Sequence, residues 1–220
     1  MRDQAIESMA IEGLAIVQRL ALSYAPKAAR ESVLTLMLLD NRLASILRNR
    51  SEAIIAQMKL AWWRDRLAQD PADWPIGEPL LERLRVWDAS PRELSPLVDG
   101  WERLLADDLT ISALEEFAEG RARAWQALSP ETAEHSAIGH AARQWALADL
   151  ALHLDTDEEA GAARKLALAT NAQMARLPRT HRSLAVLRGL SRRALENNRT
   201  EMLEGPRAVL AALRIGMTGR

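Results

Sequence analysis

Asp149 and His153 are the residues of this sequence whose types and spacing come nearest to a local metal site. They lie four residues apart, so in a helix their side chains share one face. The spacing fits either a metal site or a pair at the surface, and the surface pair is the simpler interpretation. Asp149 itself would either line a cavity or face water.

Other acidic positions have plainer explanations than metal binding. The run at 155–159 lies where a helix is expected to begin, and carboxylates are favoured there by unpaired N–H groups and the helix dipole. Thr156 and Glu159 have the spacing of a capping box. The pair at 107–108 falls between two helical patterns and indicates a turn. The pair at 115–116 is a further candidate.

Common motifs of nucleophilic and phosphate chemistry do not occur. The sequence has no GxSxG, GxGxxG, Walker or HExxH pattern, and its four histidines form no cluster at local spacing. It also has no cysteine, which excludes a disulfide framework and a thiolate metal site. Any chemistry must therefore come from carboxylates, histidines and basic residues brought together by the fold.

The most distinctive local pattern is the segment 58–67, in which Trp62 and Trp63 are flanked by charged residues. Neighbouring side chains in a helix point about 100° apart, so both indoles are buried only if the helix packs on a broad face. Lys59 and Arg64 would then find partners at the rim. On these residues alone, a packed helix with ion pairs is favoured over a ligand-binding motif.

The elements that must position these residues are helices. Ala, Leu, Arg and Glu recur throughout the 220 residues, while β-branched residues are sparse, and no strand pattern is convincing. We predict an all-α, single-domain helical bundle of about nine or ten helices over 1–220. Their predicted ranges are 3–22, 27–48, 51–67, 77–87, 91–106, 110–128, 131–154, 156–174, 180–196 and 206–214.

Helix 27–48 is apolar almost all round, which predicts a place in the middle of the bundle. Pro26 stands just before it, where a missing N–H costs nothing. Seven tryptophans against one Tyr and one Phe indicate several large packing anchors.

Charge is divided unevenly between the two ends of the chain. The net charge is −1, but the residues from 165 onward contain eleven Lys/Arg and three Glu, a balance of +8. Such a basic region suits phosphates, lipid headgroups or another protein, and its plainer explanation is a solvated pair of Arg-rich helices. Nucleic acid ranks last, because the first 164 residues carry −9 and no aromatic residue follows Trp145.

No apolar run reaches the roughly 18 residues of a membrane span, and Asp3 and Glu7 precede any apolar stretch, unlike a secretory signal. We therefore expect a cytoplasmic protein. Peripheral association with the inner membrane is a second, weaker expectation.

Several segments resemble the N-terminal part of the squalene/phytoene synthase family. They are Tyr24-Ala25-Pro26, Arg30, the run 36–44 and the double-tryptophan segment 57–67. Looser matches follow at 98–102 and 117–122, and the resemblance covers about residues 20–190. It implies an isoprenoid-synthase-like bundle and ligands related to isoprenoid diphosphates.

Active members of that family carry two DxxxD-type motifs on opposing helices, which hold Mg²⁺ against the diphosphate. Counted from Arg30, the first motif falls on Ala44, Ser45 and Arg48, and the second retains Asp149 with His153 in place of its other carboxylate. Arg48 cannot ligate Mg²⁺, although it could meet a phosphate directly. The pattern is closer to the branch that includes the mitochondrial complex I assembly factor related to phytoene synthase.

The resemblance thus implies a diverged, non-catalytic binding or assembly factor with an isoprenoid or lipid pocket. The alternative is an active prenyltransferase that uses Mg²⁺ on C15 or C20 isoprenoid diphosphates. The expected partners are an isoprenoid or lipid ligand, a protein and an anionic membrane surface. We assign no catalytic residue, metal ligand or obligatory cofactor. The candidate pocket or phosphate-binding residues are Asp40, Arg42, Arg48, Lys59, Trp63, Arg64, Asp149 and His153.

The deciding question is whether a central apolar tunnel remains open between helices 27–48 and 131–154. An open tunnel would favour lipid or prenyl binding, and a tunnel filled by side chains would favour a structural role.

Overall fold

The computed structural model describes residues 9–48, 53–87, 89–129, 133–169 and 176–219. Within these ranges the chain forms ten α-helices and a short helical segment at 9–12, with no β-strand. The helices pack into one compact bundle. The predicted all-α class is therefore confirmed.

The helices follow one another with short connections. In the described ranges, three 3₁₀ segments lie between them, at Pro71–Asp73, Pro91–Leu94 and Arg179–His181. The ten α-helices are α1 (Ile16–Leu22), α2 (Lys27–Leu47), α3 (Ala53–Ala68), α4 (Pro79–Leu84), α5 (Ser95–Arg103), α6 (Ile111–Gln126), α7 (His135–Ala151), α8 (Asp157–Ala169), α9 (Arg182–Glu196) and α10 (Pro206–Thr218).

The predicted first helix, 3–22, is wrong as one continuous element. Residues 3–8 lie outside the described ranges, and the chain leaves the helical conformation at 13–15 before α1 begins. Gly13 is a poor helix former, and Ala15 is extended with ψ near 151°. Gln18 then accepts a hydrogen bond from the Ala15 N–H at 3.2 Å, so α1 starts anew with a side-chain cap.

Two other predicted helices are shorter than expected, because α4 spans only Pro79–Leu84 and a 3₁₀ turn precedes α5. The predicted cap at the start of α8 is present. Thr156 Oγ1 accepts from the Glu159 N–H at 3.4 Å and donates to the Glu159 carboxylate at 2.7 Å.

The apolar residues of helix α2 divide between two faces, one of which lies in the core. Val33, Leu34, Leu36, Met37, Leu39 and Leu43 are all buried. A second face of α2, with Leu38, Ala44 and Leu47, is only half-buried. That second face borders the cavity described below.

Helices α5, α6 and α7 form the closely packed part of the bundle, with α6 between the other two. The backbones of α5 and α6 approach each other at Gly100 and Gly120. A methyl group added to Gly120 would lie 2.2 Å from the carbonyl oxygen of Pro96, so only glycine fits this crossing. Trp101 and Phe117 pack edge to face beside it, with ring centroids 4.9 Å apart.

Among the helices that the structure describes, none combines the length and apolar character needed to cross a membrane.

Candidate functional site

Arg121 on α6 joins two carboxylates that come from two other helices, α2 and α7. Its side chain is 4% exposed. Nε and Nη2 donate to Asp40 of α2 at 3.1 and 2.5 Å, and Nη1 donates to Asp149 of α7 at 2.8 Å. Trp101 Nε1 donates to the other oxygen of Asp40 at 2.7 Å. Three helices are therefore tied together by one guanidinium group.

Aromatic rings enclose the same guanidinium. Its central carbon lies 4.0 Å from the ring centroid of Trp145, 5.2 Å from that of Phe117 and 5.4 Å from that of Trp101. The faces of such rings attract a cation, and more strongly where water is displaced. The planar group is held by carboxylates in some directions and by ring faces in others, which fixes its orientation.

The carboxylates keep this buried arginine charged. Burial alone would lower the pKa of the Arg121 guanidinium, because it disfavours the charged form. Attraction to Asp40 and then to Asp149, with the hydrogen bonds to both, outweighs burial and raises the pKa above its ordinary value. The cluster of Arg121, Asp40 and Asp149 therefore has one fixed positive charge shared between two acids.

A large cavity adjoins this cluster, with a volume of about 1590 Å³. Small-molecule pockets usually measure about 300–1,000 Å³, so the space is large enough for a long chain. It lies between α1, α2, α4 and α7, and the segment 200–203 also borders it. Much of its wall is apolar, including Leu38, Leu47, Leu80, Leu104, Phe117, Leu150, Leu152, Leu187, Met202 and Leu203.

Three arginines other than Arg121 line this cavity, and two of them have acidic partners. Arg42 pairs with Glu78 at 3.1 Å, and Arg83 pairs with Glu31. Arg48 is exposed at the end of α2 and forms no ion pair with any described residue. Its guanidinium is thus available to an anionic group in the cavity.

The structure places five of the eight predicted site residues at or beside this cavity. Arg42, Arg48, Asp149 and His153 line it, and Asp40 lies behind its wall against Arg121. The His153 side chain is 71% exposed, and its Nδ1 donates to the backbone oxygen of Asp149 at 2.7 Å rather than to the Asp149 carboxylate, which is 3.8 Å away. Asp149 and His153 are therefore close in space, but the hydrogen bond of His153 goes to the Asp149 backbone and not to its carboxylate.

Lys59, Trp63 and Arg64 do not line the cavity. Lys59 is exposed, whereas Trp63 is buried and meets Trp62 edge to face at 5.1 Å. Arg64 pairs with Asp99 at 2.7 Å and with Glu102. This is the arrangement of a packed helix with ion pairs at its rim.

The positions compared with the metal motifs do face one common space. Ala44, Ser45 and Arg48 of α2 line the cavity together with Asp149 of α7. These donors do not fit a magnesium ion held by the protein alone, because Asp149 already binds a guanidinium and the α2 positions offer a methyl, a hydroxyl and a cation. In the described part of the chain, no three His, Asp or Glu side chains group together as metal ligands.

Sequence reasoning did not single out Arg121, although a signal exists. Phe117, Ala118, Ala124 and Trp125 lie three and four residues to either side of it, so Arg121 stands at the centre of an apolar helix face. A charged residue in that position must find a buried partner or leave the core. The identity of the partners could not be read from the pattern, because Asp40 is 81 residues away.

Comparisons with known proteins identify no relative. No family model matches the chain, and neither a curated protein nor a solved structure matches it. The resemblance to the squalene/phytoene synthase family therefore stays a hypothesis that rests on the residues quoted above.

Proposed function

We propose that this protein is a non-catalytic binding factor for an amphipathic isoprenoid or lipid molecule, and a diverged relative of the squalene/phytoene synthases. The observation that carries the proposal is the apolar cavity of about 1590 Å³ between α2 and α7. From the sequence it was an open question whether an apolar tunnel remains between the same two helices. A protein partner, as for an assembly factor, stays a prediction from the sequence.

The apolar wall sets the chemistry of most of the ligand. Each methylene group transferred from water to such a wall contributes about 0.8 kcal/mol, so a long hydrocarbon chain gains more than a small polar molecule. Leu38, Leu47 and Leu154 are half-buried on this wall, and their remaining apolar surface is what a chain would cover.

Arg48 sets the chemistry of the other end of the ligand. A guanidinium without an acidic partner binds phosphate through paired N–H groups. Ser45 is one turn away and lines the same space, although its hydroxyl donates to the Arg42 carbonyl at 2.6 Å. A ligand with a phosphate or diphosphate head beside Arg48 and a hydrocarbon chain along the leucines would use both the guanidinium and the apolar wall.

Arg121 is the reason for proposing binding rather than turnover. Ionisation of an allylic diphosphate needs cations that neutralise the leaving group. Here the carboxylates on α2 and α7 are bound to an internal guanidinium, which leaves them unsuited to recruiting Mg²⁺. The competing proposal is a prenyltransferase in which arginines such as Arg42 and Arg48 replace part of the metal charge.

Tryptophan fluorescence tests the binding proposal directly, because Trp101 and Trp145 border the cavity. The protein is titrated with geranylgeranyl diphosphate, geranylgeraniol and inorganic diphosphate in separate arms. We expect the first to bind most tightly, the alcohol more weakly and inorganic diphosphate weakest. Arg48→Gln should reduce the affinity for the diphosphate about tenfold and leave the affinity for the alcohol unchanged.

A pair of matched variants locates the ligand. Ala44→Phe places a ring in the cavity, whereas Ala160→Phe on α8 leaves the cavity unchanged. We expect only Ala44→Phe to weaken binding of geranylgeranyl diphosphate. Equal affinities of the two variants, or no binding of either prenyl compound by the parent protein, would contradict the proposal.

Turnover separates the two candidate functions. The protein is incubated with farnesyl or geranylgeranyl diphosphate and Mg²⁺, and released diphosphate is measured. We expect no release above the background without protein. Release that Arg48→Gln abolishes would favour the prenyltransferase instead.

A further inference from the structure

Helix α10 has two apolar faces, and the bundle covers only one of them. Ala208, Ala212, Ile215 and Gly216 are buried against the protein. Val209, Leu210, Leu213 and Met217 are exposed, and at about 100° per residue they fall within one arc of roughly 100° on the other side of the helix. Packing within the chain therefore explains the first group but not the second, which we call the α10 stripe.

Positive charge borders this stripe along one edge. Arg207 and Arg214 are seven residues apart, so their side chains project in nearly the same direction, next to Leu210 and Met217. Neither arginine forms an ion pair with any residue that the structure describes. The helix contains no Asp or Glu at all. An apolar stripe edged only by arginines complements an anionic surface.

A second exposed stripe, on α3, has a different charge pattern. Ile54, Met58 and Trp62 are exposed there at the same helical spacing. Asp65 follows on this face, and the Arg66 guanidinium already stacks on Trp62 at 5.7 Å. The α3 stripe therefore carries both an acidic and a basic residue. Of the two stripes, only the α10 stripe complements an anionic bilayer.

Helix α10 directly follows a segment that lines the cavity. Residues 200–203 line the cavity and lead through Gly205 directly into α10. Helix α1 packs against α10, and a methyl group on Gly216 would touch the Tyr24 ring. Ile16 at the start of α1 is exposed and borders the cavity as well.

We infer that α10 is a docking helix for an anionic lipid bilayer. Val209, Leu210, Leu213 and Met217 enter the interfacial layer, while Arg207 and Arg214 meet lipid phosphates, in the manner of interfacial amphipathic helices. The docked helix holds residues 200–203, and with them the cavity, close to a bilayer that supplies lipid-type ligands. The last step rests on the proposed function, but the docking itself does not.

Co-sedimentation with vesicles tests the docking. One set of vesicles contains equal amounts of phosphatidylglycerol and phosphatidylcholine, and the other contains phosphatidylcholine alone. We expect the protein to sediment with the first set, less so as salt rises, and to stay in the supernatant with the second. Arg207→Gln with Arg214→Gln should lower the affinity for anionic vesicles about 25-fold, since each basic residue near such a surface contributes about fivefold.

Two matched aspartate variants identify the surface. Leu210 is 64% exposed in the second turn of α10, and Met58 is 68% exposed in the second turn of α3. Leu210→Asp should weaken vesicle binding at least tenfold, whereas Met58→Asp should leave it unchanged. Circular dichroism checks that both variants stay helical.

Several outcomes would overturn the inference. These are no sedimentation with anionic vesicles, equal sedimentation with both vesicle sets, or equal loss in the Met58→Asp and Leu210→Asp variants. A dimer of the parent protein that Leu210→Asp converts to a monomer in analytical ultracentrifugation would instead assign the stripe to contact between copies. Geranylgeranyl diphosphate binding without vesicles is measured in parallel. Failure of that binding alone would reject the proposed function and leave the docking in place.

Discussion

The two sides of Arg121 differ in how tightly they are packed. On one side, α5 and α6 meet backbone to backbone at Gly100 and Gly120, with no room for a methyl group. On the other side, α2 and α7 both border the large cavity, and Leu38 and Leu47 of α2 are only half-buried. The tight side can hold the guanidinium in place while the open side leaves space for a ligand.

Removing the positive charge of Arg121, which lies between these two sides, should have the largest effect on the free energy of unfolding. Arg121→Met would leave Asp40 buried without its cation, and breaking a buried ion pair by removing one partner costs about 3–5 kcal/mol. We expect urea unfolding to show a loss of that size.

Arg123→Met is the control on the same helix, because Arg123 forms an exposed pair with Glu119 and such pairs contribute about 0–1 kcal/mol. Adding Asp40→Leu to Arg121→Met should recover part of the loss, since the uncompensated acid is removed. A loss below about 1 kcal/mol for Arg121→Met would show that the cluster does not stabilise the bundle.

The tight side can be disrupted by a single methyl group. Gly120→Ala would place a carbon 2.2 Å from the Pro96 oxygen and 3.2 Å from the Gly100 Cα, and both are backbone atoms that cannot rotate away. We expect a loss of about 3 kcal/mol, at the upper end of the overpacking range. Gly161→Ala in α8 meets nothing within 4 Å and should instead stabilise the protein by about 0.5–1 kcal/mol. Equal effects of the two changes on the urea midpoint would argue against the tight crossing.

A buried histidine should make the stability of the bundle depend on pH. His181 is buried on the tight side, where Nε2 donates to the Trp125 carbonyl at 3.0 Å. Burial lowers the pKa of His181 below its ordinary value of about 6.5, which outweighs the opposing effect of that hydrogen bond. The unfolded chain therefore takes up a proton at a higher pH than the folded chain.

The stability that His181 contributes is complete above the unfolded pKa and is lost as the pH falls below about 6.5. We expect unfolding free energies to fall with the pH below that value, by at most about 1 kcal/mol over the first pH unit, and His181→Gln to flatten this slope. An unaltered slope in the His181→Gln variant would assign the pH dependence to other groups.

The open side should tolerate bulk that the tight side rejects. We expect Ala44→Phe to change the unfolding free energy by less than about 1 kcal/mol, because the ring enters existing space instead of a packed crossing. Thermal or urea unfolding provides the measurement. A loss as large as that of Gly120→Ala would mean that the cavity closes around residue 44.

The helical class and most helix positions followed from local patterns. Apolar spacing, Pro26 and the Thr156 cap depend on neighbours in sequence, and they were sufficient to place most helices to within a few residues. The break at 13–15 was missed because one glycine in an apolar pattern is compatible with a continuous helix.

The site was harder to predict because its contacts cross the bundle. Asp40 and Asp149 were candidates, but only the packed structure shows that Arg121 lies between them. Sequence also could not decide which apolar face of α10 is buried, because both faces have similar composition. Local periodicity shows that a residue lies on a face, and tertiary packing decides what covers that face.

A central cation carried by the chain itself has a consequence for the conditions under which this protein works. The charge of Arg121 is present in every folded molecule at fixed stoichiometry, and neither a chelator nor a change in free divalent ions can remove it. Its raised pKa also keeps it protonated at any pH that the fold withstands. Binding of an uncharged prenyl alcohol in the adjoining cavity should therefore be the same in EDTA as in millimolar magnesium.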